Sequence, residues 1–161
     1  MNDEPAHALR KSGIRVMGEM CWGTHICVFY EAEQDLLPLC RKEEIGFLAY
    51  SPLGAGFLTG KYSGKRDELP PGSRFHVIPG HMDVYFGDEQ FRAVEKLRAA
   101  SERLHIPATQ LAIAWVLARP EVTTVLCGAR SRSHIDNALA AAELQWDGGS
   151  EFTGETPRRR D

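Results

Sequence analysis

Two short turns in this chain carry the residue types that hold phosphate. Ser51-Pro52-Leu53-Gly54-Ala55-Gly56 follows the apolar run 45–50, and Lys61 comes five residues after the last glycine. Small residues let backbone amides come close to an anion, and a lysine adds a mobile charge. Gly128-Ala129-Arg130-Ser131 follows a second apolar run, 123–127, directly ahead of a predicted helix whose N-terminus favours negative charge. The Arg130 guanidinium is a planar fork suited to phosphate oxygens. Taken singly, each turn also reads as ordinary punctuation with a solvated charge beside it. Tyr50, last in its run, either stacks on a flat ring or packs in the core with its hydroxyl satisfied. His134, in the first turn of the last predicted helix, is either a ligand contact or an exposed polar residue.

These turns need a frame to bring them together. Runs 14–17, 26–30, 45–50 and 123–127 read as strands, being β-branched, aromatic or apolar throughout. Helices are expected over 5–12, closing at Gly13, and over 31–43. Three more follow: 88–104 with Asp88 as N-cap, 108–117 opened by Pro107, and 133–144 capped by Ser131 or Ser133. Trp115, among apolar neighbours, reads as packing. The stretch 61–87, with Pro70, Pro71 and Pro79, reads as a long excursion with little regular structure. Alternating strands and helices with wholly apolar strands give the α/β class, either an open sheet or part of a (β/α) barrel. In both architectures ligands sit where the carboxyl ends of parallel strands gather, so both turns belong at one edge. One domain is expected over 1–146, and 147–161 reads as a disordered tail whose Arg158-Arg159-Arg160 is a solubilising end.

Composition narrows the function. A net charge of -3 over 161 residues gives no general attraction for nucleic acid. The four cysteines form no C-x-x-C pair and the six histidines lack i,i+4 spacing, so no metal is expected and the thiols read as reduced and buried. Charges interrupt every apolar run, and the N-terminus lacks a basic region followed by an apolar core. These features argue against a membrane span or secretory signal and for the cytoplasm.

The strings themselves resemble a known family. IGFLAYSPLGAGFLTGKY over 45–62 looks like the strand-seven signature of the aldo-keto reductases. PATQLAIAWVLARPEVTTVLCGARSRSHIDNALAAA over 107–142 looks like that family's last helix, strand eight and closing helix. Pro70-Pro71-Gly72-Ser73-Arg74 and Asp35-Leu36-Leu37-Pro38-Leu39-Cys40 match as well, so the resemblance covers about 31–144. The nearest relatives by motif are general oxidoreductases and channel β subunits.

The resemblance implies the C-terminal half of a (β/α)8 TIM barrel, strands five to eight, binding NADP(H) for hydride transfer to a carbonyl. It implies that Tyr50 stacks on the nicotinamide, and that Ser51, Pro52, Leu53, Gly54 and Gly56 cradle the pyrophosphate with Lys61 and Arg74 adding charge. Gly128 and Arg130 would hold the 2′-phosphate region, and His134 and Asn137 would flank the adenine. A whole barrel takes roughly 250 residues, and the family's catalytic Asp, Tyr, Lys and His belong to strands one to four, so no residue here is assigned a catalytic role. Met20 and Cys21 stand where the family has a Ser-Asn pair, its strand-six glutamine and Tyr-Asn motif are missing around 28–31, and Ala138 replaces an adenine-contacting asparagine. The expectation is an oxidoreductase of this family, inactive alone and completed by an N-terminal half or a second copy, acting on a small carbonyl. The alternatives are a non-catalytic NADP-binding or interaction module and a degenerate gene product.

Overall fold

The computed structural model describes residues 16–19, 35–145 and 158–159. The strand expected at 26–30, the helix at 5–12 and the residues Met20 and Cys21 lie outside them. Strands β1 (Val16–Glu19), β2 (Phe47–Tyr50) and β3 (Val122–Leu126) form a parallel sheet in the order β1-β2-β3. Val16 pairs with Phe47 and Glu19 with Tyr50, while β2 meets β3 from Phe47↔Val122 to Tyr50↔Leu126. The register slips between Phe47 and Leu48, and there the Thr123 hydroxyl accepts the Phe47 amide at 3.1 Å. A side-chain oxygen thus replaces the displaced ladder partner.

Helix α1 (Leu37–Lys42) precedes β2, with Pro38 in its first turn and Arg41 and Lys42 in its last, as the helix dipole favours. Between β2 and β3 lie α2 (Arg74–Val77), α3 (Met82–Tyr85), α4 (Asp88–Leu104) and α5 (Ala108–Leu117); α6 (Arg132–Ala142) follows β3. Phe47 and Ala49 of β2 are fully buried under Leu97 of α4 and Leu111, Ala112 and Val116 of α5. The chain is therefore α/β, with helices packed on a parallel sheet.

Several expectations change. The N-cap of α4 is Gly87, not Asp88, which is the first helical residue. The excursion 61–87 holds α2, α3 and a 3-10 turn at Pro79–His81. It is fastened by an aromatic cluster of Phe57, Tyr62, Phe75, Tyr85, Phe86 and Phe91, with neighbouring ring centroids 4.6–6.4 Å apart. Aromatics spaced irregularly along the chain leave no helical or strand period to read, although they meet in space. Strand β3 is half-exposed rather than buried on both faces, with Leu126 open to solvent. It is an edge of the sheet among the described residues. Arg158–Arg159 pairs antiparallel with Leu144–Gln145. Trp115 is buried, as packing requires, and Arg119 lies over its ring at 4.0 Å.

Candidate functional site

Strand β2 leaves the sheet through a sharp corner. Ser51 takes φ +55°, and Gly54, Ala55 and Gly56 follow at +53°, +55° and +89° inside a 3-10 stretch, Gly54–Thr59. The corner is closed by its own backbone: the Gly54 amide donates to Ser51 O at 2.8 Å and the Gly56 amide to Leu53 O at 3.0 Å. Those two amides are engaged within the turn, so they are not the donors that the glycines suggested. The glycines serve shape instead. A Cβ on Gly54 would lie 3.0 Å from the Tyr85 ring, and one on Gly56 would lie 3.4 Å from Lys61 Nζ. At Gly56 that distance is ordinary contact, and its φ of +89° is what favours glycine there.

Strand β3 ends beside β2 at the same edge. Leu126 pairs with Tyr50, and Cys127-Gly128-Ala129-Arg130 leads into α6, whose N-cap is Ser131. The Ser131 hydroxyl meets the Ser133 hydroxyl at 2.9 Å instead of capping a helix amide. Arg130 reaches away from its own turn: its Nη1 donates to the Gly72 carbonyl at 3.1 Å, tying the strand-three corner to the excursion.

The two corners face one cleft of about 1180 Å³, a little above the range of roughly 300–1,000 Å³ common for ligand pockets. It brings together Tyr50, Ser51, Pro52, Leu53, Gly56, Lys61, Arg74, Gly128, Arg130, His134 and Asn137. Gly54 is the exception among the expected residues: it is buried behind the turn against Tyr85 and does not line the cleft. Gly128 has open space where a Cβ would stand, so nothing in the protein requires a glycine there.

Electrostatics and polar contacts give the cleft a sense. Among the described residues its ionic side chains are Lys61, Arg74 and Arg130, joined by the imidazole of His134, with no carboxylate among them. In a chain of net charge -3 this is a local positive field, of the kind that concentrates an anion. Asn137 is oriented by Thr109 of α5, whose hydroxyl donates to Asn137 Oδ1 at 3.1 Å. That bond leaves the asparagine amide group, a donor, as the free end of the side chain. Tyr50, at the end of β2, is partly exposed on the cleft floor.

Cys127 is an exposed thiol at the cleft, whereas Cys40 is the buried one; the expectation of uniformly buried cysteines fails at Cys127. Partial desolvation among its strand-end neighbours still pushes the Cys127 thiol above the usual range, and burial does the same for Cys40.

Sequence reasoning missed Thr109, Ile113, Tyr85, Cys127 and Ser133, which also line the cleft. Ser133 and Cys127 adjoin residues already singled out and could have been found by walking one position along. Thr109 and Ile113 reach the cleft from α5 and Tyr85 from α3, and nothing in their local pattern marks them.

Among the described residues no helix is long and apolar enough to cross a membrane, and no group of three His, Cys, Asp or Glu is gathered. Comparison with known proteins places the chain in company. Residues 22–148 match the sequence model of the Aldo/keto reductase family. A protein of Schizosaccharomyces pombe assigned as a voltage-gated potassium channel subunit beta is 36% identical over 116 residues, 70% of this chain and 33% of its own length. The NADH-specific methylglyoxal reductase of Escherichia coli is 32% identical over 116 residues, 70% of this chain and 33% of its own. An aldo-keto reductase of Babesia bovis is 36% identical over 102 residues, 62% and 35%. The chain spans about a third of the length of the curated relatives it matches.

Proposed function

Because the chain belongs to the aldo/keto reductase family, we propose that its cleft is the dinucleotide-binding part of a nicotinamide-dependent carbonyl reductase site. The observation that carries the reading is the convergence of the two strand-end corners on one cleft whose charged lining, among the described residues, is the three cations Lys61, Arg74 and Arg130. The residues present fit the cofactor: a long polyanion needs spaced positive groups, and a ring at one end needs a flat partner, which Tyr50 offers. Bound there, a reduced nicotinamide supplies the hydride for a carbonyl carbon.

The chain's own residues bind and orient. Lys61 and Arg74 neutralise the pyrophosphate beside the Ser51–Gly56 corner, and the Pro52 and Leu53 backbone walls it. Arg130, beside Gly128, takes the 2′-phosphate, which makes the cofactor NADP(H), in contrast to the relative named NADH-specific. His134 and Asn137 stand by the adenine. A small carbonyl is the substrate and the cytoplasm the compartment. Hydride transfer also needs a proton delivered to the carbonyl oxygen. The resemblance places the family's acid on a strand to which no residue here corresponds, so this chain is read as binding cofactor without turnover until a complementary segment or second copy completes the site.

Titration of the purified chain with NADPH and NADH, followed by fluorescence, tests this directly. Saturable binding that favours NADPH and weakens with salt is the expected result. No binding up to millimolar cofactor would overturn it. The relatives assigned as channel β subunits favour a second reading, a non-catalytic NADP-binding or interaction module. Aldehyde-dependent loss of NADPH absorbance after adding a complementary half separates the two, because only the reductase reading predicts turnover.

A further inference from the structure

One five-residue pattern opens both helices that flank the cleft. Gly72-Ser73-Arg74-Phe75-His76 begins α2, and Arg130-Ser131-Arg132-Ser133-His134 begins α6. In each, a serine is the N-cap, an arginine is the first helical residue and a histidine is the third. In each, the histidine turns its Nδ1 back to accept the backbone amide four positions earlier: Gly72 to His76 at 3.4 Å and Arg130 to His134 at 3.2 Å. The two residues held in this way are also joined to each other, since Arg130 Nη1 donates to the Gly72 carbonyl at 3.1 Å over 58 positions of chain. Each histidine thus holds the backbone of one of the two residues that the Arg130–Gly72 bond joins.

We propose that His76 and His134 are a matched pair of positioning residues that hold the Arg130–Gly72 bridge, and through it fix where the Arg130 guanidinium stands for a ligand phosphate. The ligand half of this statement rests on the dinucleotide reading; the bridge half does not. His134 lines the cleft, yet its Nδ1 is occupied by the Arg130 amide, so its reach toward a ligand is confined to Nε2 and the ring face. Its main effect on an anion is exerted through Arg130. On the opposite side His76 holds Gly72, the residue whose carbonyl receives the guanidinium. An arginine on an exposed turn otherwise samples many rotamers, and ordering it beforehand removes that cost from binding. Both rings can accept at Nδ1 only when that nitrogen carries no proton, so a neutral ring must be the Nε2–H tautomer.

The test uses the full chain and begins without ligand. Nitrogen-15 spectra of the imidazoles report the tautomer, and both rings are expected as Nε2–H; an Nδ1–H ring at either position overturns the pairing. Amide hydrogen exchange then reads the bridge. His76→Ala and His134→Ala should each speed exchange at Gly72 and Arg130 about fivefold, the scale of one neutral hydrogen bond. His76→Asn and His134→Asn, whose side-chain oxygens can accept the same amides, should restore the native rate. Unchanged exchange in the alanine variants, or failure of both asparagine variants to rescue, rejects the proposal. In a last step NADP+ and inorganic pyrophosphate are titrated into native chain, His134→Ala and His134→Asn. NADP+ affinity should fall about fivefold in the alanine variant and recover in the asparagine variant. If the native chain binds neither probe, the dinucleotide reading fails while the tautomer and exchange results still decide the bridge.

Discussion

Tyr85 closes over Gly54: the place a Cβ would take at Gly54 lies 3.0 Å from the Tyr85 ring, and the glycine itself has φ +53°. A residue that looks from sequence like a phosphate contact is therefore a packing contact between the β2 corner and α3. Gly54→Ala must both adopt a left-handed backbone and displace a buried ring, at a cost of about 1–3 kcal/mol. Urea denaturation would register that loss, with cofactor affinity falling only as the corner distorts.

Gly128 gives the opposite expectation. No protein atom lies within 4 Å of a Cβ built there. Gly128→Ala should leave stability within about 0.5 kcal/mol, as surface substitutions do. If a ligand backbone approach is what needs the glycine, NADPH affinity drops while the denaturation midpoint stays put. A fall in both measurements would count against the open geometry.

Lys61 and Arg74 are exposed cations on the cleft wall. Replacing either with alanine should weaken NADPH roughly three- to tenfold at low salt, the range for one charge-assisted contact at a solvated site. The difference from native should shrink at high ionic strength. Titration at two salt concentrations checks both statements.

Thr109→Val removes the donor that orients Asn137. The side chains are similar in volume, so the fold should lose no more than about 1.5 kcal/mol, the net value of one hydrogen bond. Affinity for an adenine nucleotide should decline with the loss of asparagine alignment, and calorimetry with adenosine 2′-phosphate would measure it.

Cys127 offers a chemical probe of the cleft. Its thiol is held above the ordinary range by desolvation, and the thiolate is the reactive species. A raised value makes the thiolate scarcer at any given pH, so alkylation by iodoacetamide should be slow at neutrality and keep climbing at pH values where a free thiol has already levelled off. NADP+ should protect Cys127, and Cys40 should stay unmodified while the chain is folded. Mass spectrometry of the alkylated chain reads each site.

The alternation of apolar strands and helices was legible, and so were β2, α4 and α5 to within a residue or two, because α4 has a strong helical period while β2 and α5 are apolar runs bounded by turn residues and prolines. That Tyr50, Arg130 and Asn137 meet at one cleft was legible once both turns were put at carboxyl ends of neighbouring strands. The role of the glycines was not: the hydrogen bonds closing the turn and the contact of Gly54 with the distant Tyr85 leave no mark in composition, so Gly54 and Gly56 read as anion donors while their amides in fact close the turn. The excursion 61–87 was misread because Phe75, Tyr85 and Phe86 stabilise it through a cluster with no sequence period. Thr109 escaped for a related reason, as its partner Asn137 lies 28 positions away.

Phe57 belongs at once to the corner that borders the cleft and to the aromatic cluster, where five rings come within 6.4 Å of its own. Interior and cleft wall are thus one mechanical unit at this point. A selection for variants with altered nucleotide retention would enrich substitutions at Phe75, Phe86 and Phe91, which do not line the cleft, and a map of such hits drawn on the sequence would look scattered while tracing a single lever in three dimensions.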